Sequence, residues 1–255
     1  MDSPVAPDPS HGTPHSGAAP GPIALVGSGE YLPSMLEIER DLIDGRPRRY
    51  VQIPTAAALE GADRLAYWVD LGRRQAERLG VEAVPLVVTD RAQADDPEIA
   101  AQVAGAGLIY LSGGNPTLLA DTLRDTALWQ AIVDAWRRGT ALAGCSAGAM
   151  AMADHVPDLR HPTRDGRPGL GLLPGLRVIP HFDRMLGWIP DLLTRPFLRA
   201  TPGVLLVGVD EETALVGGPE VFAVRGRQSA WVLGEGRRQR IAAGETLRVP
   251  APATS

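Results

Sequence analysis

Five short, predominantly apolar runs punctuate the first part of the chain, at Ile23–Val26, Tyr50–Ile53, Val84–Val88, Leu108–Leu111 and Thr140–Ala143. Between them, Met35–Ile43, Arg64–Leu79, Pro97–Ala104 and Pro116–Arg138 carry apolar residues at helical spacing. A strand that is apolar at every position must be covered on both faces, and consecutive strands joined by helices can pair in parallel. The pattern therefore predicts an α/β fold: a mostly parallel central sheet with helices on both faces.

Beyond Met152 the texture changes. The stretch from His155 to Gly175 is rich in Pro, Gly and Arg and reads as a long loop. Two more apolar runs follow, Arg177–Pro180 and Val204–Val209. The C-terminal part then alternates at Val221–Val224, Trp231–Leu233, Gln239–Ala242 and Thr246–Val249, which predicts antiparallel strands finishing one edge of the domain. Residues 1–22 contain Pro, Gly, Ser, His and Asp with almost no large apolar side chain, a composition that cannot offset ordering entropy, so they are expected to be a disordered tail. Residues 23–255 are expected to form a single α/β domain. The tail lacks a cationic start followed by an apolar core, so no secretory signal is read there and a cytoplasmic location is expected. Even Val204–Val209 is far too short to span a bilayer, so no membrane partner is expected.

Composition narrows the chemistry. All 25 basic residues are arginine. A P-loop, a Schiff-base enzyme and a Ser-Lys dyad each require lysine, and none can be built here. The single cysteine excludes a disulfide framework and a Cys-rich zinc site. The net charge of −5 offers no basic stripe for counterion release, which argues against nucleic acid as a partner. Serine, carboxylate, histidine and arginine chemistry remains, with no cofactor and no metal expected.

The strongest local motif is Gly144-Cys145-Ser146-Ala147-Gly148. An apolar strand runs into Gly-x-Ser-x-Gly and small helix-forming residues follow, the context of a nucleophile elbow. A sharp turn there exposes the Ser146 hydroxyl, while the flanking glycines allow neighbouring backbone to approach closely. Cys145, one residue before the apex, is expected to point into the packed interior.

A serine nucleophile needs a base. His11 and His15 lie in the tail, and His155 and His161 in the irregular loop. His181 follows the apolar run Arg177–Pro180, so it would stand at a strand end facing the crevice. The orienting acid is expected at the end of Val204–Val209, from Asp210, Glu211 or Glu212, with Asp158 and Asp183 as rivals. A Ser146–Asp158–His161 set would follow the usual α/β-hydrolase order, but it puts acid and base in one loop, three residues apart. Independent positioning on separate strands disfavours it.

An oxyanion hole needs backbone N–H donors. Ser112-Gly113-Gly114-Asn115 ends another apolar strand, and one of its glycine amides could join that of Ala147 in binding an oxyanion. Gly27-Ser28-Gly29-Glu30 ends the first strand without a third glycine, so it is not a dinucleotide fingerprint.

Together the three glycine-containing motifs, with His181-Phe182 and Gly208-Val-Asp-Glu-Glu-Thr-Ala214, resemble the aspartyl dipeptidase (peptidase E) and cyanophycinase family of serine peptidases. The resemblance spans about Ile23 to Val216. It implies a class I glutamine amidotransferase-like fold, Ser146 as nucleophile, His181 as base and Glu211 as the acid. It also implies Gly114 and Ala147 as oxyanion donors, Asn115 as a pocket residue, and a homodimer as the family's expected assembly. Cyanophycinases commonly carry Asp-Gln before the histidine and several arginines after it. Here Ile179-Pro180 precede His181 and Arg184 alone lies close behind, so the substrate side chains stay open. Arg184 could grip a substrate carboxylate with a bidentate fork. The function expected is hydrolysis of amide bonds in small peptides or isopeptides through an acyl-enzyme on Ser146. The alternatives are a non-hydrolytic binding or regulatory module on the same scaffold, or an esterase or amidase acting on non-peptide substrates.

Overall fold

The computed structural model describes residues 19–158, 166–185, 203–234 and 237–250. Strands β1 (Ile23–Val26), β2 (Arg49–Ile53), β3 (Glu82–Pro85), β4 (Leu108–Leu111) and β5 (Ala141–Cys145) form the parallel part of an eight-stranded sheet, in the order β1-β5-β4-β2-β3. Helices α1 (Leu36–Ile43), α2 (Ala62–Leu79), α3 (Arg91–Ala94), α4 (Pro97–Ala101), α5 (Pro116–Leu123) and α6 (Ala127–Arg137) supply the crossovers, and α7 (Ala147–Ala151) follows β5.

Alternation along β1 shows why both faces had to be apolar. Ile23 and Leu25 pack into one core with Leu119 of α5 and Ile132 and Trp136 of α6. Ala24 and Val26 pack into the other with Ile38 and Leu42 of α1 and Ala76 and Leu79 of α2. Successive strand residues point to opposite faces, so an unbroken apolar run serves two helix layers.

Three boundaries differ from the sequence reading. The periodic stretch 116–138 is two helices, because Asp125 adopts a left-handed φ of 58° and Thr126 caps α6, accepting a bond from the Trp129 amide at 3.4 Å. Periodicity continues across the break; only the capping chemistry reveals it. The third strand lies earlier than Val84–Val88, with Leu86 and Val88 buried beyond its pairing. Residues 1–18 of the expected tail lie outside the described residues. Residues 19–22 do not belong to a loose tail: Gly21 donates its N–H to Trp136 O and accepts from Trp136 Nε1, both at 2.8 Å.

The second half is also more divided than expected. After the short hairpin β6 (His155–Val156) and β7 (Arg167–Pro168) come β8 (Leu176–Ile179), helix α8 (Phe182–Met185) and β9 (Leu205–Val209). They are followed by β10 (Thr213–Gly217), β11 (Val221–Gly226), β12 (Ser229–Gly234), β13 (Arg237–Ala242) and β14 (Thr246–Arg248). Only β10, β11 and β14 extend the main sheet, antiparallel beside β1. Strands β12 and β13 join β9 and β8 in a separate four-stranded sheet. From β9 onward the chain crosses between the sheets at three positive-φ turns, Glu212 at 52°, Gly226 at 112° and Gly244 at 89°. The C-terminal strands therefore complete two sheets, not one edge. Among the described residues no helix is long and apolar enough to cross a membrane.

Candidate active site

Strand β5 lies between β1 and β4, so the loops after these three parallel strands meet at one edge of the sheet. Such an edge, at the C-terminal ends of parallel strands, is where open α/β sheets place their sites. Ser146 sits between β5 and α7 at φ 49°, ψ −102°, a strained conformation for a non-glycine residue. The surrounding glycines have specific reasons. A Cβ on Gly148 would collide with Leu111 O of β4, and one on Gly144 would strike the backbone of Gly148. Only glycine lets the α7 backbone lie so close to the sheet.

His181 follows β8, also at a left-handed φ of 49°. Its Nε2 lies 3.1 Å from Ser146 Oγ, and its Nδ1 lies 2.9 Å from Glu211 Oε1. The three side chains thus form a continuous relay drawn from both sheets. The end of β1 joins them: His181 donates its N–H to Gly27 O at 3.3 Å, and Glu212 donates to Ser28 O at 3.1 Å. Gly27 has no room for a Cβ, because Asp210 O and Val209 O stand against its Cα.

The run Asp210-Glu211-Glu212 divides cleanly. Asp210 is buried and turned into the smaller sheet, accepting from Ser229 N at 3.2 Å and from Trp231 Nε1 at 3.0 and 3.1 Å. Burial raises its carboxyl above the usual range, with the Trp231 bond opposing. Glu212 pairs with Arg227 at 3.0 Å. The neighbouring Ser34 hydroxyl, and then Arg227, hold its carboxyl below the usual range. Only Glu211 reaches the histidine. Its backbone is held by residues that sequence reasoning did not assign this way: Asp183 Oδ1 accepts Glu211 N–H at 2.9 Å. Gln228 Nε2 bridges Asp183 Oδ2 and Glu211 O, each at 3.1 Å.

The Ser112–Asn115 loop lies on the other side of Ser146. Gly113 N–H donates to Glu30 Oε1 at 3.0 Å, so of the two glycine amides that of Gly113 is engaged. Gly114, at φ 135°, leaves no space for a Cβ beside Ala56 O. Ala147 opens α7, where the first amides have no intrahelical partner. Asn115 caps α5, its Oδ1 accepting Leu118 N–H at 3.0 Å, and also lines the cleft.

That cleft, of about 640 Å³, brings Ser146 and His181 together with Gly114, Asn115, Met150 and Met185. Glu60, at the end of a short 3-10 helix after β2, and Asp158 and Arg167, from the β6–β7 hairpin, add charge to its walls. Arg184 does not line it. Its Nε lies 3.2 Å from Glu211 Oε2. Asp158, the rival acid, faces the cleft while Glu211 holds the histidine; His11, His15 and His161 lie outside the described residues. Cys145 is fully buried and donates to Glu30 Oε2 at 2.7 Å, its thiol pushed well up by burial and then by Glu30. Among the described residues no cluster of His, Cys, Asp and Glu could hold a metal ion.

The chain belongs to peptidase family S51, whose sequence model matches residues 23–221. In a solved structure, a peptidase from an acI-B1 Actinobacterium is 44% identical, superposes with a TM-score of 0.82, and covers 91% of this chain and 98% of its own. A cyanophycinase from Trichormus variabilis is 30% identical over 184 residues, 68% of this chain and 58% of its own length. Another, from Synechococcus elongatus, is 32% identical over 165 residues, 61% of this chain and 50% of its own. The chain thus spans between 50% and 58% of the length of these cyanophycinases.

Proposed function

We propose that this protein is a serine peptidase that cleaves amide bonds in small peptides or isopeptides. The observation that carries the proposal is the relay from Ser146 Oγ to His181 Nε2 at 3.1 Å and from His181 Nδ1 to Glu211 Oε1 at 2.9 Å. His181 takes the hydroxyl proton as Oγ attacks the substrate carbonyl, and Glu211 keeps the ring oriented and stabilises the imidazolium. The C–O bond of a tetrahedral intermediate forms, with its oxyanion on the amides of Gly114 and Ala147. The C–N bond then breaks, the amine leaves with the proton returned by His181, and an acyl group remains on Ser146. Water, deprotonated by the same histidine, releases the acid and restores the serine.

Substrate size follows from the cleft: about 640 Å³ holds a few residues of peptide, not a folded chain. Walls carrying Glu60 and Asp158 as well as Arg167 suit a peptide with charge of both signs. A hydrolysis screen across dipeptides, β-aspartyl isopeptides and simple esters, run beside thermal-shift binding, tests the reading. Turnover of a peptide that is lost in Ser146→Ala is the expected result. Saturable stabilisation without turnover of any substrate would contradict it.

A further inference from the structure

The turn Gly29-Glu30-Tyr31 carries a carboxylate and a phenol that the relay does not use, and both are directed at the loop beside Ser146. Glu30 Oε1 accepts Gly113 N–H at 3.0 Å, while Glu30 Oε2 accepts the Cys145 thiol at 2.7 Å. One carboxylate therefore ties the glycine loop after β4 to the residue immediately before the nucleophile. Tyr31, at a left-handed φ of 66°, lies 2.6 Å through its hydroxyl from Ser112 Oγ. The left-handed φ turns the chain so that two consecutive residues can both engage Ser112-Gly113. Gln52 Nε2 donates to the Tyr31 hydroxyl at 2.9 Å, and Arg78 Nη1 donates to Tyr31 O at 2.9 Å, so the turn itself is braced from beneath. Gly113 must be glycine for this contact, since a Cβ there would press on Glu30 Oε1 at 2.6 Å.

We infer that Glu30, seconded by Tyr31, is a positioning residue that selects and fixes the oxyanion donor. By occupying Gly113 N–H it removes that amide from the cleft. The next amide, Gly114, is left as the donor on this side, held at a fixed distance from Ser146 through the Cys145 contact. The same carboxylate thus spaces the two halves of the oxyanion site, the glycine loop and the elbow. This inference rests on the serine-peptidase reading above. Its consequence falls on the tetrahedral states of both acylation and deacylation: a slack donor loop weakens their stabilisation without changing how a ground-state substrate sits.

The test measures the rate at which a fluorophosphonate modifies Ser146, since its phosphoryl oxygen must enter the same donor site, together with kcat and KM on an ester such as p-nitrophenyl acetate. A wild type that is folded and unlabelled would sink the serine-peptidase reading itself, separately from the role of Glu30. Given a labelled wild type, Glu30→Ala should slow labelling and kcat by about 10- to 100-fold with KM nearly unchanged. Glu30→Gln, which keeps an acceptor for Gly113 N–H, should recover most of the rate, and Tyr31→Phe should slow it by a smaller factor. Labelling of Glu30→Ala at the wild-type rate would overturn the inference. So would equal losses in Glu30→Ala and Glu30→Gln, which would make charge and not the Gly113 bond responsible. If Glu30→Ala does not fold, Glu30→Gln and Tyr31→Phe decide: a preserved Gln rate with a slowed Phe rate supports the inference, and the reverse contradicts it.

Discussion

The Cα of Gly27, at the end of β1, rests directly on the carbonyl oxygen of Asp210, the residue before Glu211, so that a Cβ on Gly27 would collide with it. At the same point Gly27 O accepts the His181 amide and Ser28 O accepts that of Glu212. The two sheets meet here, and the meeting sets the distance between the serine on one and the histidine and glutamate on the other. Gly27→Ala is expected to force the sheets apart, costing about 1–3 kcal/mol of stability and a larger share of activity. Paired chemical denaturation and kcat/KM measurements check this; a variant with normal activity would show that the junction does not set the relay.

The divided roles of the three consecutive acids give a mutational signature. Glu211→Gln is expected to lower kcat/KM by about 10²- to 10⁴-fold, since the histidine loses its orienting charge. Glu212→Gln, removing an exposed pair with Arg227, should leave activity near wild type. Asp210→Ala should act on stability, because the buried Ser229 N–H and Trp231 Nε1–H lose their acceptor, about 1–3 kcal/mol for each group left unsatisfied. Activity and urea unfolding of the three variants, measured side by side, separate these outcomes.

These same residues show how far the sequence could be read. The two-faced apolar strands and the Gly-x-Ser-x-Gly turn made the parallel sheet and the place of Ser146 legible, because both are local patterns. The acid was legible only to within three residues. Strand alternation says that Asp210 and Glu211 face opposite ways, but not which way the second sheet lies. The second sheet itself was missed, since pairing between β8, β9 and β12 is nonlocal and leaves no periodic mark. The supporting contacts of Asp183, Gln228 and Glu30 were hidden for the same reason: each joins segments far apart in the chain.

Beneath the Glu30–Tyr31 turn, Glu39 of α1 is buried against Gln75, which donates to it at 3.1 Å. Burial raises its carboxyl to about 8, with the Gln75 bond opposing, from an ordinary value of 4.5 in the unfolded chain. Between those values the folded protein holds a proton that the unfolded chain has released, so stability falls as pH rises through this window, by up to about 1.4 kcal/mol per pH unit. Glu39→Gln removes the titration and keeps a partner for Gln75. Its stability relative to wild type should therefore grow from pH 5 to pH 8 in thermal or urea unfolding. Parallel stability profiles for the two proteins would contradict this account.

Cys145 lies beside the nucleophile in sequence yet is inaccessible, and burial disfavours its thiolate. Iodoacetamide should leave it unmodified in the native protein at pH 8 and alkylate it readily in urea. Rapid native alkylation with loss of activity would point to thiol chemistry at the elbow.

The central claim is that the Ser146 hydroxyl, activated by His181, is the nucleophile. Peptide mapping by mass spectrometry after treatment with a fluorophosphonate tests it most directly. A single phosphonyl adduct on Ser146 is predicted, absent from Ser146→Ala and strongly slowed in His181→Ala. A folded wild type that carries no adduct, or one that carries it on another residue, would contradict the claim.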